Sequence, residues 1–192
     1  MVPERKTKGK PVRITRAGKK SVPGVIRGAC ETRYGQMNPG NNEAGWRTIT
    51  LFVAGVVLVG LTLGYVNTPG AWYAALNKPA FNPPNYIFAP AWLTLYICIG
   101  IAGARTWSRA PRSPAMTAWL AQMALNFLWS PVFFGMHLIG LALCIIAALL
   151  TAIFAFIALQ WRADRIAASC FLPYAAWVAF ATLLNWSIYR LN

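Results

Sequence analysis

Five long apolar stretches organise most of this chain. They run over residues 49–66, 87–107, 115–134, 139–161 and 167–189. Each is close to the roughly 20 residues that cross the hydrocarbon of a bilayer as an α-helix. Strands do not fit, because the runs are too long and their apolar positions do not alternate. The pattern predicts an all-α membrane protein, a five-transmembrane-helix bundle over residues 45–192. Most connections are short. The exception is 67–86, rich in proline, asparagine and aromatics, whose Pro69, Pro79, Pro83 and Pro84 restrict the backbone. It reads either as a lid over one end of the bundle or as an ordinary connection.

Composition agrees with the pattern. Of 192 residues 57% are hydrophobic and 11% charged, against about a quarter charged in ordinary soluble domains. The net charge of +14 is unevenly spread: eleven of the 18 Lys and Arg precede Thr48, and beyond it stand seven basic residues and one acid, Asp164. The charge therefore belongs to an N-terminal arm, residues 1–44, and not to a nucleic-acid-binding body. Lys6, Lys8, Lys10, Arg13, Arg16, Lys19 and Lys20 show no apolar face at helical spacing, so the arm reads as a disordered tail. No apolar core follows these charges as a secretory signal requires, and the poor amphipathicity speaks against a mitochondrial presequence. Translation from Met37 would lead through MNPGNNEAGWR directly into the first span. Between spans, Arg47, Arg105, Arg109, Arg112, Arg162 and Arg165 fall on one side, and only Lys78 and Arg190 on the other. The positive-inside rule then sets the N-terminus inside and both the 67–86 loop and the C-terminus outside. Trp46, Trp72, Trp107 and Trp161 lie at the ends of runs, as an interfacial aromatic belt requires.

Little acid–base or metal chemistry is open to the membrane part. No carboxylate stands between Glu43 and Asp164, and there is one histidine, His137. Cys30, Cys98, Cys144 and Cys170 show no CxxC spacing, and the last three read as thiols buried in apolar runs. Neither a catalytic residue, a metal site nor an obligatory cofactor is expected. His137 reads as a solvated loop residue; a haem-ligand role would lack a partner. The polar and aromatic interruptions of the spans are more informative. Trp92 and Tyr96, then Gln122, Asn126, Trp129 and Phe133, then Pro173, Trp177, Ala181 and Asn185, form three sets, each placed on one helix face. Amides within a bilayer must find partners, so Gln122, Asn126 and Asn185 should face the bundle interior. They could be interhelical glue, but three coherent faces favour a pocket with aromatic walls and a few polar handles. Such a pocket suits a large, flat, mostly apolar ligand. Gly60-Leu-Thr-Leu-Gly64 is a GxxxG that permits close helix approach, within the bundle or between copies.

Four motifs carry a family resemblance. Trp72-Tyr73-Ala-Ala-Leu76-Asn-Lys78-Pro79-Ala-Phe81-Asn-Pro83-Pro84 resembles the WYxxLxKPxxxPP signature of the TspO/MBR (tryptophan-rich sensory protein / translocator protein, peripheral benzodiazepine receptor-like) family. Pro90-Ala-Trp92-Leu-Thr-Leu95-Tyr96, Ala124-Leu125-Asn126-Phe-Leu-Trp129-Ser-Pro131-Val-Phe133-Phe134-Gly135 and Pro173-Tyr174-Ala-Ala-Trp177-Val-Ala-Phe180-Ala-Thr182-Leu-Leu-Asn185 follow in order. The resemblance implies a five-helix bundle, often a homodimer, that binds porphyrins such as protoporphyrin IX and haem, and in some members cholesterol and synthetic benzodiazepine-type ligands, in a pocket under the first loop; lipid or sterol is a further partner it allows. Tryptophans implicated there in porphyrin binding or photo-oxidative breakdown fall on Trp92 and Trp177, with Ala181 lining the same face. The expected ligand-binding set is Tyr73, Phe88, Trp92, Tyr96, Asn126, Trp129, Phe133, Trp177, Ala181 and Asn185. This chain departs from the family in carrying Phe81 and Tyr86 where many members have tryptophan. Tyr189 and Arg190 are adjacent, and Trp186 stands where the animal protein has the tyrosine of its sterol motif, so that motif is not met. The implied role is a membrane-embedded tetrapyrrole sensor or regulator. A porphyrin transporter, or an enzyme degrading porphyrin with light and oxygen through tryptophan redox chemistry, is the alternative. No internal repeat of the transporter kind is visible. The implied location is the bacterial cell envelope, or the mitochondrial outer membrane in a eukaryote.

The topology is directly testable. Reporter fusions at the C-terminus should report the side opposite to Arg105–Arg112, as an odd number of crossings demands. A C-terminus on the arginine side sinks the count of five.

Overall fold

The computed structural model describes residues 45–192. The basic arm, Met37 and Cys30 lie outside the described residues. Six α-helices follow one another: α1 (Trp46–Val66), α2 (Ala71–Ala75), α3 (Phe88–Arg109, preceded by a 3-10 turn at Asn85–Ile87), α4 (Pro114–Ser130), α5 (Ile139–Gln160) and α6 (Arg165–Leu191). Among the described residues there is no strand. The protein is an α-helical membrane bundle, as the apolar runs predict.

Helix boundaries follow from local chemistry. Ser113 caps α4 by accepting from the Met116 N–H, and Pro114 sits at the first helical position, where its missing N–H costs nothing. Asp164 caps α6 by accepting from the Ile166 and Ala167 N–H groups. The end of α4 is less regular. Pro131 interrupts the α-helical ladder, the chain continues as a π-helical segment over Pro131–Gly135, and His137 turns it back with φ at 59°. By length and composition α1, Asn85–Arg109, α5 and α6 can each cross a membrane. The remaining predicted run is α4, whose 17 residues extend about 26 Å at 1.5 Å each, with the π segment beyond. The five-crossing count thus rests on α4 with its extension and is decided by the topology test above.

In the bundle, α1 packs on α3, α3 on α6, α6 on α5 and α5 on α4, while α4 touches α3 and α1 more sparsely. The core, with Ile99, Met116, Ile153, Phe156, Phe171 and Val178 among its members, fills the centre. Large apolar side chains such as Leu51, Leu58, Phe154, Ile166 and Leu183 point outward and are exposed, as a lipid-facing surface requires. Two glycines set the α1–α3 spacing. Gly100 lies against the Val53 backbone, where a Cβ would stand 2.6 Å from Cα, and Gly60 lies against the Tyr96 ring. The GxxxG pair therefore has an intrachain use: Gly60 is covered by Tyr96, while Gly64 has nothing within 4 Å.

The bundle end opposite the long loop is fastened by charge. Arg105 donates from Nε and Nη2 to the two carboxylate oxygens of Asp164 at 2.8 and 3.2 Å, and Arg109 Nε lies 3.3 Å away. Arg109 Nη1 also donates to the Ala163 carbonyl at 2.9 Å. Nearby, Gln160 Nε2 donates to Thr106 Oγ1 at 2.8 Å. Burial pushes the Asp164 carboxyl up, but the Arg105 hydrogen bonds, the Ala167 N–H and the charges of Arg105 and Arg109 outweigh it and hold the carboxyl below its ordinary range. One carboxylate thus joins α3 to α6 and caps α6 at once.

Removing it leaves two arginines without their partner. Asp164→Ala should destabilise the folded protein by about 3–5 kcal/mol, read as a loss of thermal stability in detergent. Asp164→Asn, which keeps the cap, should lose less. Because the folded carboxyl is depressed, its contribution is complete above the ordinary carboxylate range and is lost as pH falls through the folded value. Acid should therefore weaken the wild type more than Asp164→Asn.

Candidate functional site

At the loop end the helices diverge around a cavity of about 510 Å³, within the ordinary size range of small-molecule sites. All five long helices contribute. From α1 come Leu61, Leu63 and Tyr65, with Gly60, covered by the Tyr96 ring, and Gly64, which has nothing within 4 Å; from α5 come Ile146 and Leu149. From α3 come Phe88, Trp92 and Tyr96, one turn apart; from α4, Asn126 and Trp129, with Phe133 from the π segment; from α6, Trp177, Ala181 and Asn185. Tyr73 of α2 closes over the mouth. All ten residues of the sequence-derived set line this one space. No charged side chain among the described residues does so.

The polar groups are tied to one another. Tyr174, fully buried, accepts from Asn126 Nδ2 at 2.9 Å and donates to Gln122 Oε1 at 3.0 Å. Tyr96 OH reaches Asn126 Oδ1 at 3.5 Å. Gln122 thus stands behind the cavity wall rather than in it, and its Nε2 is a buried donor with no partner among the described residues. On the other flank Trp129 Nε1 donates to Asn185 Oδ1 at 3.1 Å, and Asn185 Nδ2 donates to the Ile139 carbonyl at 3.2 Å. These bonds tie α4 to α6 and α6 to α5.

The aromatic walls are arranged unequally. Trp129 and Phe133 stack on each other at 5.1 Å and 17°, so each covers a face of the other. Trp92 tilts against Tyr96 at 5.3 Å and meets Tyr174 edge-on at 6.4 Å. Trp177 meets Phe88 edge-on at 5.8 Å. Neither Trp92 nor Trp177 is in a parallel stack with a neighbour. Above them, Tyr73 OH donates to Asn82 Oδ1 at 3.2 Å, and burial pushes its phenol up, so it stays a neutral donor.

The structure corrects two readings. Of the three thiols expected to be buried in apolar runs, Cys144 is exposed and Cys98 and Cys170 are partly so, because they face outward from their helices rather than into the core. Pro173 was grouped with Trp177, Ala181 and Asn185, yet it is exposed and lines no part of the cavity; Tyr174 takes the inward place. A spacing of four overshoots the helical repeat by about 40° per step, so three steps drift by about 120°. Counting back by three from Trp177 and by seven from Ala181 finds Tyr174. His137 is exposed, as a loop residue should be, but its ring stacks on Trp72 at 4.1 Å, and Trp72 also meets Phe133 edge-on at 5.7 Å. Trp72 is thus a half-buried packing residue of the loop rather than a belt residue alone. The described residues contain no cluster of three or more metal-binding side chains.

A multi-pass helical membrane protein with an aromatic, charge-free cavity beneath a proline-rich loop is the class this architecture defines. Residues 50–190 match the TspO/MBR family, and the chain belongs to it. Protein CrtK of Rhodobacter capsulatus is 39% identical over 133 residues, covering 67% of this chain and 83% of that protein. The tryptophan-rich sensory protein of Cereibacter sphaeroides is 37% identical over 131 residues, covering 68% and 83%. The human translocator protein is 33% identical over 126 residues, covering 63% and 75%.

Tyr174→Phe should leave Asn126 and Gln122 each short of a buried partner, at a cost of about 1–3 kcal/mol. Unfolding temperature in detergent measures it. An unchanged midpoint would mean that water or a rotated amide replaces the phenol without loss.

Proposed function

We propose that the chain is a membrane-embedded tetrapyrrole-binding sensor or regulator of the bacterial cell envelope. The observation that carries the reading is the convergence of ten residues from α2, α3, α4, the π segment and α6 on one apolar, aromatic-walled cavity with amide and hydroxyl handles. A planar macrocycle offers two apolar faces to aromatic rings, and its polar edge can meet Asn126, Asn185 or Tyr96. No carboxylate or histidine among the described residues lines the space, and its titratable groups are the phenols of Tyr65, Tyr73 and Tyr96, poor bases at neutral pH. That favours binding over turnover. A sterol-like ligand and a homodimer belong to the same family reading but have no such observation behind them.

Fluorescence quenching of the purified protein by protoporphyrin IX and haem tests the proposal. Stacking contributes roughly 0.5–1.5 kcal/mol beyond burial, and the lost ring area adds about 25 cal/mol per Å². Trp92→Ala and Trp177→Ala should each weaken binding about tenfold or more, since 1.4 kcal/mol is a factor of ten. Trp177→Phe should lose less. Unchanged affinity in folded, size-selected alanine variants would end the pocket assignment.

A further inference from the structure

Beside the cavity mouth lies a second, more open recess, lined by Pro69, Gly70, Tyr73, Ala74, Lys78, Asn82, Pro83, Pro84 and Asn85. Pro69, Tyr73 and Asn85 line both spaces, so the two adjoin at the Tyr73 ring. The apolar cavity thus borders a polar vestibule with one ammonium group. Lys78 Nζ lies 4.8 Å from the centre of the Tyr73 ring, the ring that separates the two spaces.

Lys78 makes no salt bridge among the described residues. Asp164 is the one acid in residues 45–192, and it is held by Arg105 and Arg109 at the far end of the bundle. Arg190, the other cation on the loop side, lies over the Trp186 ring at 5.9 Å and lines neither space. Lys78 does have a structural use: it donates to the Ala74 and Leu76 carbonyls at 3.1 and 3.2 Å, closing the C-terminal end of α2. An ammonium has three donors, and these two bonds leave one for the vestibule. Asn82 and Asn85 add amides around it.

We propose that Lys78 is an anion anchor at the mouth and that the ligand is an amphipathic carboxylate: a flat apolar body in the cavity with an acidic tail in the vestibule. This rests on the tetrapyrrole reading and narrows it to acid-bearing macrocycles over their neutral esters. Asn82 and Asn85 supply the remaining donors, and Tyr73 forms the threshold between body and tail.

The test compares protoporphyrin IX, which carries two propionates, with its dimethyl ester, on wild type, Lys78→Gln and Lys78→Arg. Glutamine keeps an N–H donor for the α2 carbonyls without the charge; arginine keeps both. The ratio of ester to acid dissociation constants is compared between proteins in one detergent, so that micelle partitioning of the two compounds cancels. Wild type and Lys78→Arg should share one ratio, and Lys78→Gln should lower it by about tenfold or more, as loss of a charged hydrogen bond implies. Raising the salt should weaken acid binding in wild type and leave Lys78→Gln unaffected. An equal ratio in all three proteins overturns the anchor while leaving the cavity assignment standing. Equal losses for acid and ester in Lys78→Gln assign Lys78 to α2 capping alone and also overturn it. Failure of wild type to bind either compound overturns the tetrapyrrole reading, and the anchor with it.

Discussion

Within a bilayer there is no water to satisfy a buried amide, and the loop end of this bundle is organised around that constraint. Gln122, Asn126 and Asn185 are buried, and each must find its partner in the protein. Tyr174 joins the first two, and Trp129 and the Ile139 carbonyl hold the third. These bonds fix α4, α5 and α6 relative to one another and therefore fix the distance between the cavity walls. The two readings that the sequence leaves open, glue and pocket, are thus one arrangement. Asn126 lines the cavity and ties α4 to α6 with the same amide.

The two ends of the bundle differ in kind. At the arginine end Asp164, Arg105 and Arg109 draw the helices together, and Phe156 and Phe171 stack at 4.0 Å in the packed core above. At the loop end the helices are held by neutral amides and leave a hollow. The cavity lining reaches Tyr96, Ile146 and Leu149, and a core rich in large apolar side chains occupies the bundle beyond. The hollow is thus closed off by packed core on its inner side.

The spans were legible because membrane helices must be apolar over nearly their whole length, and four of the five runs became helices long enough to cross. The residues that line the cavity were legible for the converse reason, since polar and aromatic interruptions in an apolar run have to be used. The end of α4 was hidden, because Pro131 within Ser-Pro-Val-Phe-Phe-Gly could end a helix or bend it, and a π segment keeps the apolar pattern intact. Tyr174 was hidden by a spacing of four carried too far along α6. The role of Asp164 depended on Arg105, 59 residues away, a pairing that no local pattern records. The Trp72–His137 stack depended likewise on the positive φ at His137.

The walls of the cavity are attached unequally. α1 lines it with Leu61, Leu63 and Tyr65 beside Gly60 and Gly64, whereas α3, α4 and α6 present the amides and most of the rings. The side-chain hydrogen bonds of α1 and its C-cap, from Thr50, Thr62 and Asn67, run back to carbonyls of α1 itself. Its attachment therefore comes from van der Waals packing, mainly on α3, with only a sparse contact to α4. In an apolar solvent such packing competes with lipid tails that are as apolar as the helix. The other walls would have to break buried hydrogen bonds to move, and α1 would not. α1 is thus the wall of the cavity held by packing, whereas the others are held by polar ties as well.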